Sequence, residues 1–178
     1  FFFLDEETET LDLVIGDVSD KGIGAALFMA IARTLLRSLV REKREPGELL
    51  NRLNDELSRN NESCMFVTLF CGAVHLPSGV CRYASGGHCP PMLLKTTGQL
   101  VYLNQAKGPV IGGMEGMTYT EGSCLLEADD MLLLYTDGVT EAANKDEELF
   151  GEARLEAALC NRREAAPEVL LREVREEL

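Results

Sequence analysis

The sequence predicts an α+β fold. Short β-rich runs come in pairs around polar or glycine-containing turns, helical patterns come two together, and the two kinds of pair occupy separate stretches of the chain. A doubly wound sheet would alternate strand and helix instead. At 178 residues, one domain with a sizeable core is expected over 1–178, without internal repeats or low-complexity linkers.

Residues 1–4 and 11–17 read as two strands joined by a polar turn at 5–10. Over 24–41 the apolar residues Leu27, Phe28, Ile31, Leu35 and Leu39 recur at helical spacing, with Arg33, Arg37 and Arg41 on another face, which predicts a mostly buried helix. Pro46 suits a first helical turn, and Leu49, Leu50, Leu53 and Leu57 continue a second amphipathic helix to about Asn60-Asn61. Residues 65–76 and 80–84 are strands around Pro77-Ser78-Gly79, and the second is broken by Gly86-Gly87-His88-Cys89-Pro90-Pro91. A further hairpin spans 92–95 and 99–103 about Thr97-Gly98, and strands at 117–126 and 131–136 flank Ala128-Asp129-Asp130. Helical patterns close the chain at 151–160 and 167–178. The segment 108–117, with four glycines and few packing residues, and the polar segment 139–148 are expected to be more mobile than the sheets.

The formal charge of −13 and pI near 4.6 argue against nucleic acid or an anionic membrane as partner. Acidic runs such as Asp146-Glu147-Glu148 read as solvated faces. The six cysteines (Cys64, Cys71, Cys81, Cys89, Cys124, Cys160) form no C-x-x-C pair, and with only His75 and His88 besides, no zinc pattern emerges. Several lie in apolar runs and read as small buried hydrophobes in a reducing, cytoplasmic compartment. No apolar segment of membrane-spanning length and no signal-peptide pattern is expected. Phe1-Phe2-Phe3-Leu4 reads as the interior of a longer strand, so the chain is expected to be a piece of a larger protein.

Two apolar runs each end in an acid at a turn. Residues 11–15 lead into Gly16-Asp17-Val18-Ser19-Asp20-Lys21-Gly22, and residues 131–136 lead into Asp137-Gly138-Val139. Carboxylates at a sheet edge are the oxygen donors that hard divalent cations take. Either aspartate alone reads equally well as a strand terminator or helix cap; the pair points to a shared site. Ser19 reads as a helix cap, and His88 more readily as structural than as catalytic, with a role near the site as the alternative.

Three rival chemistries fail on spacing. Gly22-x-Gly24 lacks the ribose-binding acid about twenty residues on that a dinucleotide loop needs. No cysteine stands six residues before an arginine, as a cysteine-nucleophile phosphatase requires. Tyr135 occupies the place of the nucleophilic aspartate in a haloacid-dehalogenase loop.

The segment from Gly16-Asp17-Val18 to Leu27-Phe28-Met29 resembles the second-ligand motif of the bacterial branch of metal-dependent (type 2C-like, PPM) protein serine/threonine phosphatases, which includes the stress-response and sporulation-stage-II-E enzymes. Phe66-Val67-Thr68-Leu69-Phe70-Cys71-Gly72, Tyr83-Ala84-Ser85-Gly86-Gly87-His88-Cys89-Pro90-Pro91, Leu132-Leu133-Leu134-Tyr135-Thr136-Asp137-Gly138-Val139-Thr140-Glu141-Ala142 and Glu148-Leu149-Phe150-Gly151 resemble its later signatures, in order.

That resemblance implies a four-layer α-β-β-α sandwich, truncated here at both ends, with a two-metal site. Asp17 would bridge two Mg²⁺ or Mn²⁺ ions, Val18 would donate its carbonyl to one, and Asp137 would hold the other. The family's first metal-binding Asp would lie upstream of Phe1 and its last beyond Leu178, so this piece is expected to bind metal weakly or not at all. The implied substrate is a phosphorylated protein of the anti-anti-sigma type, with an attached sensory or receiver domain as regulator. The competing class is a phosphatase-like binding module without catalysis.

Overall fold

Two nine-residue strands carry the first sheet: β2 (Thr10–Val18) and β3 (Val67–His75) pair antiparallel from Thr10 opposite His75 to Val18 opposite Val67. β1 (Phe2–Asp5) lies on the other edge of β2, and β4 (Val80–Gly86) and β7 (Gly122–Leu125) extend the sheet beyond β3, giving the order β1-β2-β3-β4-β7. The computed structural model describes residues 1–59, 61–161 and 166–177, so Asn60, at the predicted end of the second helix, and Leu178 lie outside the described residues. It divides into two units, Phe1–Pro90 with Leu103–Leu126, and Pro91–Tyr102 with Glu127–Leu178.

In the first unit α1 (Ile23–Val40) packs against α2 (Pro46–Ser58) and β2, and α2 packs against β3 and β4. Pro46 begins α2, where a missing N–H loses no helical bond, and Leu49, Leu50, Leu53 and Leu57 fall on its inner face. They join Val67, Leu69 and Ile111 in one apolar core. α1 departs from expectation. Ala25, Ala32, Leu36, Leu39 and Val40 are buried, but Ile23, Leu27 and Ile31 are 83%, 60% and 54% exposed. The helix is apolar on two faces, and this unit covers one of them. Its 18 residues, of mean hydropathy 1.6, reach the length and apolarity of a membrane span after all, although they include Arg33 and Arg37.

The glycine-rich segment 108–117 is tied down more closely than its composition suggests. Val67 and Ile111 exchange backbone hydrogen bonds, both 2.9 Å long. Asn54, fully buried on α2, donates Nδ2–H to Met114 O at 2.8 Å and accepts at Oδ1 from Gly112 N–H at 3.0 Å. The Tyr119 backbone N–H is likewise taken up by Asn51 Oδ1 at 2.8 Å, so the strand predicted at 117–126 shortens to β7.

The second unit holds a three-stranded antiparallel sheet, with β5 (Met92–Leu94) between β6 (Leu100–Tyr102) and β8 (Met131–Leu133). β7 and β8, which flank one turn, therefore join different sheets. One-turn helix α3 (Asp137–Thr140) is followed by α4 (Gly151–Asn161) and α5 (Pro167–Glu177), whose Leu155, Leu159 and Leu170 are buried. The segment 139–148 is folded on itself, with the Asn144 side chain accepting from the Asp146 and Glu148 N–H groups. All six cysteines are free thiols: Cys71 and Cys81 are buried, whereas Cys64 and Cys160 are exposed.

On β2, Asp12 sits beside Asp5 in a cavity of about 260 Å³ that Lys43, Arg44 and Arg82 also line. Each of those cations is engaged elsewhere: Lys43 by Asp5 and Glu7, Arg44 by Glu42 and Glu48, Arg82 by Glu45 and Glu121. Burial, and then the charge of Asp5, push the Asp12 carboxyl up to about 6. A native pKa above the unfolded value means that the folded state loses stability as pH rises from about 4 through 6.

Asp12→Asn is accordingly expected to raise the melting temperature at pH 7.5, with the gain over wild type fading by pH 5; thermal melts of both proteins at the two pH values check this. Asn54→Ala strands the buried Gly112 N–H and frees the Met114 carbonyl of the 108–117 segment and is expected to lower unfolding free energy by about 2 kcal/mol, measurable by urea denaturation.

Candidate functional site

The β2–β3 ladder sets which way each group at the end of β2 points. Ser19 N–H bonds Phe66 O at 2.8 Å, and Val14 bonds Phe1 on the opposite edge, so odd-numbered residues such as Asp17 turn their backbone groups to β3 and even-numbered ones turn away. The Val18 carbonyl thus faces away from β3, and among the described residues it has no strand partner. Asp17, half-buried, uses Oδ1 to accept from the Val18 N–H at 2.9 Å, while its second oxygen has no partner among the described residues. Gly16 is required here: a Cβ would stand 2.7 Å from Thr68 O.

Past the strand, Asp20 and Gly22 adopt positive φ (74° and 93°), reversing the chain so that α1 starts at Ile23 with Gly22 as its cap residue. Ser19 is therefore no helix cap. Its Oγ accepts from the Phe66 N–H at 3.0 Å, locking the end of the ladder.

The Gly86-Gly87-His88 turn lies beside this strand end. Leu69 bridges Gly87, and Gly86 bridges Gly108. A Cβ on Gly86 would meet Ile111 Cδ1 at 2.5 Å. The turn buries His88, 8% exposed, and sets its Nδ1 2.9 Å from Thr68 Oγ1. Sequence reasoning placed Thr68 in a family signature without giving it a role, and read His88 first as structural, with a role near the site as the alternative; a polar residue between two glycines and two prolines was the available signal.

Asp137 belongs to the second unit. It is the first residue of α3 rather than part of an open Asp-Gly turn, with Thr136 as cap residue and its own carbonyl accepting from Glu141 N–H at 2.7 Å. Its exposed carboxylate has no partner among the described residues and stands at a helix N-terminus, where negative charge is favoured. The predicted strand 131–136 ends at Leu133, before this cap. Among the described residues, no three His, Cys, Asp or Glu side chains gather closely enough to hold an ion by themselves.

The α+β frame with two antiparallel sheets is the fold of solved PP2C-type phosphatase domains. The chain belongs to the family described as Stage II sporulation protein E (SpoIIE), matched over residues 7–178, and is a PPM phosphatase domain of that family. It is similar to protein IcfG of Synechocystis (32% identical over 90% of this chain) and to phosphoserine phosphatase RsbU of Bacillus subtilis (31% over 82%). It spans only 29% and 44% of the length of those two proteins. Among solved structures, the RsbU and RsbW domains of a Mycobacterium tuberculosis protein match at TM-score 0.79 and 26% identity, covering 94% of this chain and 47% of that one. The PP2C phosphatase domain of SpoIIE from Bacillus subtilis, with a fragment of its regulatory domain, matches in fold at TM-score 0.74 and 20% identity, covering 98% and 52%.

Gly16→Ala is expected to destabilise the first unit by about 2 kcal/mol, because the added methyl meets backbone, which cannot swing aside. Urea denaturation against wild type checks the value.

Proposed function

We propose that this chain is the catalytic domain of a metal-dependent phosphoserine/phosphothreonine protein phosphatase. The observation that carries the reading is the pairing, at one strand end, of an Asp17 carboxylate oxygen without a protein partner and the outward-turned Val18 carbonyl. Both are hard oxygen donors, and the donor set fits Mg²⁺ or Mn²⁺, which accept few protein ligands and keep several waters. Asp17 and Val18 would hold ions on the first unit, and the family resemblance gives Asp137, in the second unit, a metal-ligand role as well. When bound, a pair of such ions lowers the pKa of water toward neutrality and neutralises phosphoryl oxygens. The chain's own part is to keep the Asp17 carboxylate oxygen and the Val18 carbonyl oriented and free of competing partners. The SpoIIE family membership and the likeness to a phosphoserine phosphatase support a phosphorylated protein as substrate. The family resemblance adds an anti-anti-sigma type of substrate and a sensory or receiver domain as regulator, and the cysteine usage adds a cytoplasmic setting.

A second reading is a phosphatase-like module that binds partners without catalysis. It is favoured by the sparse donor set, since no three-acid cluster forms among the described residues. One experiment separates the two. In the full-length protein, Asp17→Asn and Asp137→Asn are each expected to abolish Mn²⁺-dependent hydrolysis of a phosphoserine peptide with little change in melting temperature. Wild-type activity in either variant removes that residue from the site, metal-independent activity overturns the two-metal reading, and absent wild-type activity favours the module.

A further inference from the structure

One peptide plane at the end of β2 is gripped at both ends. Its N–H, that of Val18, donates to the Asp17 carboxylate Oδ1 at 2.9 Å, and its carbonyl, that of Asp17, accepts from Thr68 Oγ1 at 3.4 Å. The peptide unit is rigid, so turning the carbonyl turns the N–H and re-aims the carboxylate attached to it. Thr68 has a single hydroxyl proton to give. If that proton goes to the Asp17 carbonyl, the other neighbour of the oxygen, His88 Nδ1 at 2.9 Å, must be a donor. The ring is held in position against Thr68. It is 8% exposed, its turn bridges β3 through Leu69 and Gly87, and a Cβ on Gly87 would strike Val110 Cγ1 at 2.8 Å.

We propose that His88 and Thr68 are positioning residues for the cation site. His88 Nδ1–H donates to Thr68 Oγ1, the Thr68 hydroxyl donates to the Asp17 carbonyl, and the peptide fixed in this way presents the open Asp17 oxygen in one orientation, beside the Val18 carbonyl, whose own peptide is held by the Ser19 N–H bond to Phe66 O. The inference rests on Asp17 and Val18 being cation ligands. It assigns no contact between His88 and substrate or ion.

The test is Mn²⁺ binding, followed by the electron paramagnetic resonance signal of free Mn²⁺, with thermal melting as a check on folding. Thr68→Val and His88→Phe are each expected to weaken binding about tenfold or more, the usual effect of removing a group that orients a metal ligand. Thr68→Ser keeps the hydroxyl, and His88→Asn keeps a donor near the Nδ1 position; both should bind within about threefold of wild type. The Thr68→Val/His88→Phe double variant should be no weaker than the weaker single variant, because both break one chain. Unchanged binding in Thr68→Val, multiplied losses in the double variant, or His88→Asn as weak as His88→Phe would overturn the proposal. Should His88→Phe fail to fold, the Thr68→Val and Thr68→Ser pair, which leaves the ring in place, decides the matter. Asp17→Asn run alongside separates the two claims. Wild-type Mn²⁺ affinity there removes the cation reading and this inference together, whereas loss there with none in Thr68→Val removes the positioning role alone.

Discussion

The alternation of the β2–β3 ladder is the constraint on which the first unit's chemistry depends. Nine consecutive pairings leave no slack in register, so residue parity alone decides that the backbone of Asp17 is turned toward Thr68 and that of Val18 away from it. A slip of one residue would exchange their places, turning the Val18 carbonyl into the ladder and moving the Asp17 side chain to the other face. Ser19, bonded twice to Phe66, closes the ladder just beyond the acid. Glycine is needed at position 16 for the same reason, since the strands approach too closely there for a side chain.

Support for that strand end comes from polar groups buried far from it in sequence. Asn54 on α2 holds 112–114, Ile111 next to that segment pairs with Val67, and Val67 stands opposite Val18. The core leucines of α2 give this scaffold its cohesion, while the hydrogen bonds of Asn54 and His88 give it direction. Unsatisfied amides in so dry a setting would each destabilise the fold by a large fraction of its net stability.

Much of this was legible in the residues. Period-two and helical patterns placed nearly every element of both sheets and the helices α1, α2, α4 and α5, because those patterns report directly on which face is buried. Asp17 and Asp137 stood out because each follows an apolar run. What escaped was tertiary. The expectation that α1 is mostly buried failed at Ile23, Leu27 and Ile31, since periodicity shows that a face is apolar and not whether anything covers it. Ser19 looked like a cap by composition, but Gly22 with its positive φ took that place. The segment 108–117 looked loose because its restraints come from side chains more than fifty positions away. Thr68 stood inside a family-like signature with no role of its own; only the register brings it opposite Asp17.

The unequal exposure of the six thiols has a practical side. Cys64 is exposed in the first unit and Cys160 in the second, while Cys71 and Cys81 are shut away. A maleimide dye in brief, sub-saturating reaction would favour those two native positions, one on each unit, without any engineered cysteine. Donor and acceptor fluorophores there would form a molecular ruler between the halves, on which the effect of divalent cations on their separation could be read one molecule at a time.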